Sequence, residues 1–460
     1  MIAAAITEVP SLSVSEALER VLAAVEPVAV AETVPLRAAL GRVLAADVPA
    51  PFDVPPFANS AMDGYALRAA DITGAARERP VTLAVIGEVA TGVVVTRPVA
   101  AGQAYRILTG APLPPGADTV VPYEQTDGKG FGGWATAAPD GAAGAERRVR
   151  VFAALPEGEH VRVAGEDQRK GEAVLRANML LRPAEIGVLA SLGAAHVLVR
   201  RRPRVAILST GNELTPAGTP LRPGLIYDAN AESLGALVEW YGGDALSLGI
   251  ARDTAGAVLG HLRDAVRHGA DLILTSGGVS VGNHDVVKAV LAEHGEIDFW
   301  SVAMRPGRPL VLGRLDDIPV LGLPGNPVSV MVAFELFVRP ALLRLAGLTT
   351  LDKVEILATA LEPLRGSPGR ETFLRGVVSR IGEGPDAEWR VRTTGGQGSG
   401  MLTSMSRANA LIRLPADRPA AAAGERVPVL VLDWPSTPRL PGSTDRFTSP
   451  RDAESAARSG

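Results

Sequence analysis

The sequence predicts a multidomain protein of α/β and β parts: a central three-layer α/β domain with a mostly parallel sheet, a β-rich inserted domain, and a C-terminal β-barrel-like domain. Three observations carry this. Between Arg204 and Leu345, apolar runs of strand length alternate with helical patterns over short connections, which marks a parallel sheet covered on both faces. The stretches on either side, Pro49 to about Val151 and Asp352 to Trp434, are short β-branched runs broken by glycine and proline. Finally, 460 residues exceed what one hydrophobic core fills, so about three or four domains are expected.

The composition narrows the function. With 47% hydrophobic and 21% charged residues the chain reads as ordinary soluble globular protein. A net charge of −4 without a long Lys/Arg run argues against nucleic acid or a membrane surface as partner. The absence of cysteine excludes disulfides, thiolate metal sites and a Cys nucleophile, and is compatible with a reducing compartment. Met1 to Pro10 lacks the basic and apolar regions of a secretory signal, and no apolar run of about 18 residues occurs. A cytoplasmic protein is expected.

In chain order, Ser13 with Glu16 forms a capping box opening an amphipathic helix through Ala17, Leu18, Val21, Leu22 and Val25. A second short helix is expected over Leu36 to Leu44. Pro49-Ala-Pro-Phe-Asp-Val-Pro-Pro56 cannot be helical and opens the β-rich insert. Within it, Pro55-Pro-Phe-Ala-Asn-Ser-Ala-Met-Asp-Gly-Tyr65 and Arg106-Ile-Leu-Thr-Gly-Ala-Pro112 are dense in residues with special backbone requirements, and Gly128 to Gly144 reads as a variable loop. Past Val149 come Gly165-Glu-Asp-Gln-Arg-Lys-Gly171 and a helix over Arg182 to Leu192 ended by Gly193. Glu166 and Asp167 are adjacent, so an extended segment turns them to opposite sides. The expected boundaries are 11–50 with 151–200 for a discontinuous N-terminal domain and 51–150 for the insert.

The α/β domain, 201–346, holds the strongest signals. Strands are expected at 204–209, 245–250, 271–275, near 297–304, 309–313 and 318–322, with helices at about 230–241, 254–268, 285–294 and 327–345. Three strands end in glycine loops: Ser209-Thr-Gly211, Ser276-Gly277-Gly278, and Pro324-Gly325-Asn326-Pro327. Glycine lets the backbone adopt positive φ and approach a ligand, and a following helix N-terminus favours an anion. Ligands of parallel sheets bind outside the carboxyl ends of the strands, so three such loops converge on one anion site. Glu213, Asp253 and Asp285 follow strands on that same edge. One carboxylate there is usually a helix cap, whereas three suggest Mg²⁺ ligands, an ion satisfied by one or two carboxylates plus substrate phosphates. Met304-Arg-Pro-Gly-Arg-Pro309 places Arg305 and Arg308 on a rigid turn suited to an oxyanion.

From 350 to 434 the β pattern returns, with runs at Val354, Phe373, Trp389, Ala410 and Val427 that suggest a small barrel or sandwich. It carries Gly369-Arg-Glu-Thr-Phe-Leu-Arg-Gly376 and Gly395-Gly-Gln-Gly-Ser-Gly400, whose polar groups suit a cleft. Residues 435–460 are rich in Pro, Ser, Arg and Ala without periodicity, as in a disordered tail.

Six motifs in order, Asn59-Ser-Ala-Met-Asp-Gly-Tyr-Ala66, Leu108-Thr-Gly-Ala-Pro112, Ser209-Thr-Gly-Asn-Glu-Leu214, Ile226-Tyr-Asp-Ala-Asn230, Thr275-Ser-Gly-Gly-Val-Ser-Val-Gly282 and Gly322-Leu-Pro-Gly-Asn-Pro-Val-Ser329, resemble the MoeA/gephyrin E-domain family, the molybdopterin molybdotransferases. The resemblance runs from about Ser11 to Trp434. It implies an elongated homodimer with the site between subunits, and insertion of molybdate into adenylyl-molybdopterin with Mg²⁺, releasing AMP and molybdenum cofactor. Asp63, Thr109, Asp167, Glu213, Asp253 and Asp285 match residues important for activity in the family, and Arg305 and Arg308 match its basic positions. Ser329, Arg370 and Ser399 match positions that hold molybdate or the pterin. Substrate binding is expected as well at Ser276, Gly277, Gly278 and Ser280, and at Pro324, Gly325, Asn326 and Pro327. Implied partners are molybdopterin adenylyltransferase and molybdoenzymes.

The family often has Lys where this chain has Arg305 and Arg308, which replaces a point charge by a planar fork. Two other readings compete. A molybdopterin adenylyltransferase shares the α/β domain, but as that domain alone and commonly with Gly-Gly-Thr-Gly where this chain has Gly277-Gly-Val-Ser280. A gephyrin-like scaffold would carry a fused adenylyltransferase domain and a long linker, absent from this sequence. A Rossmann oxidoreductase fits least, because no Gly-x-Gly-x-x-Gly follows a strand.

Overall fold

The computed structural model describes residues 11–128, 148–279, 285–382 and 387–432. The expected tail 435–460, most of the loop Gly128 to Gly144, and Ser280 lie outside the described residues. The chain divides into two compact units, Met1–Glu32 with Arg200–Gly460, and Thr33–Val199.

The first unit is built on a six-stranded sheet in the spatial order Asp244–Ala251, Arg204–Thr210, Leu272–Ser276, Ile318–Leu323, Pro309–Leu315 and Glu296–Ser301. The first four strands run parallel. The last two pairings are antiparallel, because no helix separates these strands in the chain and Pro309–Leu315 turns straight into Ile318–Leu323. Asp316 takes φ 50° in that turn, a conformation Asp tolerates.

The three inner strands of the parallel part, Arg204–Thr210, Leu272–Ser276 and Ile318–Leu323, are apolar on both faces. Val205, Ile207, Leu272, Leu274, Leu321 and Leu323 pack into one buried cluster with the helices Ala229–Trp240 and Pro327–Ala333. Ala206, Leu208, Ile273 and Val320 pack into another with Ala255–Arg267 and Val286–His294. Each buried Leu or Ile contributes about 1.5–3 kcal/mol. Three layers result, with the carboxyl ends of the strands left for loops.

The long C-terminal helical pattern forms from Pro327 to Leu345, but its middle turn, Phe334–Val338, is wound as a π-helix. Pro340 explains this: it has no N–H to return to the preceding turn and its ring crowds that turn's carbonyl. The Arg339 N–H accordingly reaches back five residues to the Phe334 carbonyl.

The capped helix appears as Val14–Ala23, with Ser13 and Glu16 making the capping box. Its sequence position groups it with the N-terminal domain 11–50, yet it lies in the first unit. Its apolar stripe, Ala17 and Val21, continued by Val25 and Val28, is buried in the cluster that holds Phe334 and Leu342. Arg20 adds an ion pair to Asp298 at 2.6 Å.

The same unit ends in a small β-barrel. Glu371–Ile381, Glu388–Thr393, Glu355–Ala360, Arg426–Val431 and Ala410–Leu414 pair in that order, and the last closes on the first. Of the barrel and sandwich alternatives, closure selects the barrel. A two-residue strand, Met304–Arg305, joins its rim in parallel to Glu371 and Thr372.

The unit Thr33–Val199 contains a five-stranded sheet ordered Thr119–Pro122, Gly64–Leu67, Gln103–Ile107, Val81–Val89 and Arg148–Val151. Alternation buries Tyr65, Leu67 and Val121 on one face and Ala66, Tyr105 and Val120 on the other. A further cluster joins Ala39 and Leu44 to Leu175, Leu181, Leu189 and Val199, segments far apart in the chain. The expected helix Leu36 to Leu44 is only a 3-10 turn, Leu36–Ala39, since Gly41 turns the backbone to φ 74° two residues later. The helix Pro183–Ser191 forms as expected, with Gly193 at φ 78° behind it. Among the described residues no helix is long and apolar enough to cross a membrane.

Candidate active site

Sheet register decides where the glycine loops go. Ser209 lies opposite Ser276, and Ser276 opposite Leu323, so the three strands end at one level and their loops stand side by side. Gly277 and Gly278 have φ 85° and 66°. A side chain is excluded at both: a Cβ on Gly277 would meet the Thr210 carbonyl oxygen at 2.5 Å, and one on Gly278 the Thr210 hydroxyl at 2.9 Å. These glycines are therefore required by the packing of one loop on another, apart from any ligand.

Asn230 locks two of the loops together. Its Nδ2 donates to the Ser276 hydroxyl at 2.7 Å and to the Gly325 carbonyl at 2.8 Å. Its Oδ1 is buried without a partner among the described residues. Asp228, just before it, caps the helix Ala229–Trp240 by accepting from the Ala231 N–H at 3.0 Å, which fixes where Asn230 starts.

The loops open onto a cleft of about 1240 Å³. Glu213, Asp253 and Asp285 line it from the ends of the strands. Asp253 accepts the Asn212 N–H at 3.1 Å while its own N–H donates to the Asn212 side chain. Asp285 stands at the N-cap position of Val286–His294. Among the described residues no three His, Cys, Asp or Glu side chains are grouped closely enough to hold a metal ion by themselves.

The other lining comes from the Met304 turn and the barrel. Arg305 and Arg308 both reach the cleft, and Arg305 is held by the Ser367 hydroxyl at 2.7 Å. Gly307 between them has φ 102°. Arg370 sits on a tight turn in which its N–H donates to the Ser367 carbonyl at 3.2 Å. Ser399 is tied to the first turn of the Pro327 helix, its carbonyl accepting the Val328 N–H at 3.1 Å. Ser329 is buried in the same turn. Five arginines in all, at 305, 308, 365, 370 and 375, line the cleft.

The charges are thus segregated by origin: the carboxylates come from the α/β loops, the guanidinium groups from the turn and the barrel. A site of this kind suits two anionic groups held close together, with cations to offset their repulsion.

The structure gathers most of the sequence-derived site residues here. Ser276, Gly277, Gly278, Pro324, Gly325, Asn326, Pro327, Ser329, Arg370 and Ser399 line the cleft together with Glu213, Asp253, Asp285, Arg305 and Arg308. Ser280 lies outside the described residues. Asp63, Thr109 and Asp167 belong to the unit Thr33–Val199. There Asp63 Oδ1 accepts from the Thr109 N–H at 2.7 Å and its hydroxyl at 2.8 Å, so those two form one polar pair. Asp167 makes no hydrogen bond to either among the described residues; its N–H donates to the Val54 carbonyl at 3.0 Å. Glu166 and Asp167 are both exposed on this turn, as surface charges are.

Sequence reasoning missed Asn230 as the clasp between loops, and the barrel residues Arg365 and Ser367; Arg375 and Gln397 lie within the two barrel motifs expected to suit a cleft, and the structure brings both to its lining. The motif Ile226-Tyr-Asp-Ala-Asn230 contained the signal for Asn230. Arg365 and Ser367 carried little local signal, because their placement depends on strands that meet only in three dimensions.

Comparison with known proteins agrees with this architecture. Residues 12–193 match the MoeA N-terminal region (domain I and II), residues 206–344 a probable molybdopterin binding domain, and residues 358–432 the MoeA C-terminal region (domain IV). A Mycobacterium tuberculosis protein named molybdopterin molybdenumtransferase 2 is 38% identical over 86% of this chain and 94% of its own length. A molybdopterin molybdenumtransferase from Nostoc is 38% identical over 87% of this chain and 88% of its own. Among solved structures, a molybdopterin biosynthesis moeA protein from Pyrococcus horikoshii superposes with a TM-score of 0.75 at 31% identity, covering 92% of this chain and all of that one.

Proposed function

Because the chain belongs to the MoeA family of molybdopterin molybdenumtransferases, we propose that it inserts molybdate into adenylyl-molybdopterin, yielding molybdenum cofactor and AMP with the help of Mg²⁺. That it is a transferase of molybdenum cofactor biosynthesis follows from the family itself. The finer reading rests on one observation: a single cleft takes three glycine loops with Glu213, Asp253 and Asp285 from one side of its lining and Arg305, Arg308 and Arg370 from the other.

The chemistry requires two anions, the phosphate of the pterin nucleotide and the molybdate substrate, to meet. Of the loop N–H groups, those of Gly211, Asn212 and Gly277 are taken by Ala251, Asp253 and Leu323, so the phosphate is received by the remaining ones after Ser276 and Leu323. Arg305, Arg308 and Arg370, with the Ser329 and Ser399 hydroxyls, take the tetrahedral oxyanion. The dithiolene sulfurs that receive the metal belong to the substrate, so a chain without cysteine can do this, and no covalent enzyme intermediate is needed.

Mg²⁺ fits the donor set. It would be held by Asp253 and Asp285, and its remaining positions would be filled by substrate phosphate and water, as befits an ion that does not need a closed protein cage. Bound there it would neutralise phosphate charge. The proposal includes a homodimer in which the site is completed between subunits, exchange of substrate and product with molybdopterin adenylyltransferase and molybdoenzymes, and action in the cytoplasm.

The test is single-turnover conversion of adenylyl-molybdopterin by the purified protein with Mg²⁺ and molybdate, following AMP release. Molybdate-dependent release that drops by about a hundredfold or more in Asp285→Ala and in Arg308→Ala is expected. A native protein that binds the substrate but releases no AMP would overturn the reading.

A further inference from the structure

Arg375 is the largest fully buried side chain among the described residues, with 1% of its surface exposed. It lies on the barrel strand Glu371–Ile381 beside Phe373 on the face covered by the helix Thr403–Arg407. Its Nε donates to the Ser404 hydroxyl at 3.0 Å and its Nη2 to the Gly398 carbonyl at 3.0 Å. Both acceptors are neutral, and among the described residues no carboxylate pairs with it. Burial alone pulls the guanidinium down to about 10. An uncompensated charge at this depth is strongly unfavourable unless an anion shares the site, yet the residue lines the cleft.

The same residue builds the loop that follows the next strand. The Arg375 N–H donates to the Gln397 side-chain oxygen at 2.9 Å, and Gln397 Nε2 returns a bond to the Arg375 carbonyl at 3.2 Å. The Gly398 carbonyl is held from two sides, by the guanidinium and by the Met401 N–H at 3.2 Å. A trans peptide carries its N–H opposite its carbonyl, so fixing that oxygen on Arg375 turns the Ser399 N–H the other way. Ser399 lines the cleft, and its own carbonyl is fixed by Val328.

We infer that Arg375 is the fixed positive charge of a tetrahedral-oxyanion subsite on the loop Gln397 to Gly400. It acts as a positioning residue: it stays out of contact with the anion, orients the Ser399 peptide toward it and supplies the field that makes the loop attractive to negative charge. The inference rests on the proposed function and names a group which that reading does not use. The oxyanion is either free molybdate or the phosphate of the nucleotide, chemically alike at this level.

Isothermal titration of the full-length protein with sodium molybdate, and separately with AMP, tests it in the native chain, Arg375→Met and Arg375→Lys. In Arg375→Met the affinity for molybdate should fall by about tenfold or more, the scale of losing a charge-assisted interaction, with AMP binding retained. Arg375→Lys keeps the charge without the fork and should lose only about threefold. Thermal melts separate this role from a structural one: Arg375→Met should melt no lower than native in oxyanion-free buffer, while the rise that molybdate gives the native chain disappears. A loss confined to AMP would support the subsite with phosphate as its occupant. Equal affinities for both anions in Arg375→Met and native would overturn this inference alone, and if Arg375→Met does not fold, unchanged affinities in Arg375→Lys would do the same. A native chain that binds neither anion would overturn the proposed function and this inference together.

Discussion

The two linings of the cleft are made by different means. The α/β side is mostly backbone: parallel register aligns three strand ends, and glycines let the loops nest on one another, as the close approach of Gly277 to the Thr210 carbonyl shows. The barrel side is mostly side chain: Arg305 on Ser367, Arg375 on Ser404 and Gly398, and Gln397 on the Arg375 backbone. A backbone site is rigid and tolerates few substitutions, whereas a side-chain site can be weakened one bond at a time. The contrast predicts how each side fails.

The largest effect is expected on the α/β side. Gly277→Ala forces a Cβ into left-handed backbone and onto the Thr210 carbonyl, so the loop must shift. A loss of about 2 kcal/mol or more of stability and about a hundredfold of AMP release are expected, read by denaturant melts and single-turnover assay. A variant of native stability and rate would show that the loop is not held as described.

Asn230→Ala sharpens the comparison, since it cuts a side-chain clasp that joins two loops on the backbone side. Removing its bonds to Ser276 and Gly325 should cost about 1–3 kcal/mol in stability and weaken AMP more than molybdate. On the barrel side, Arg305→Ala removes a cation and the Ser367 bond. About tenfold weaker molybdate binding with little change in melting is expected.

The smallest effect concerns pH. Burial raises the Glu371 carboxyl above the usual carboxylate range, and Arg413 offsets this only in part. A raised carboxyl binds its proton more tightly when folded, so its contribution is fully present below the ordinary carboxylate value of about 4.3 and is lost as pH climbs through the raised value. Glu371→Gln should therefore gain on the native chain between pH 4 and pH 7, by within about 1 kcal/mol in urea melts. A gain of the opposite sign would mean that Arg413 outweighs burial.

The same division explains what could be read from the sequence. Strand, glycine loop and helix follow one another in the chain, so the edge carrying Ser276, Gly277 and Pro324 was legible from periodicity and turn chemistry. Where the alternation lapsed, between Glu296 and Leu323, the sequence did not declare that the last two pairings turn antiparallel. The N-terminal helix was legible down to its capping box, but not the unit that buries it, since an apolar stripe does not name its partner. Arg375 was legible only as one polar group of a motif suited to a cleft. Only its spacing of two from Phe373 hinted that it points inward, and nothing local revealed that Ser404 and Gly398 would receive it.

In the proposed function one cleft brings two anions together, phosphate on backbone loops and oxyanion on arginines. Equilibrium titration of molybdate and of AMP into the native chain, Asn230→Ala and Arg370→Ala tests it most directly. A crossed pattern is expected: Asn230→Ala loses AMP and keeps molybdate, and Arg370→Ala loses molybdate and keeps AMP, each by about tenfold. Variants that weaken both anions equally would contradict a cleft divided in this way.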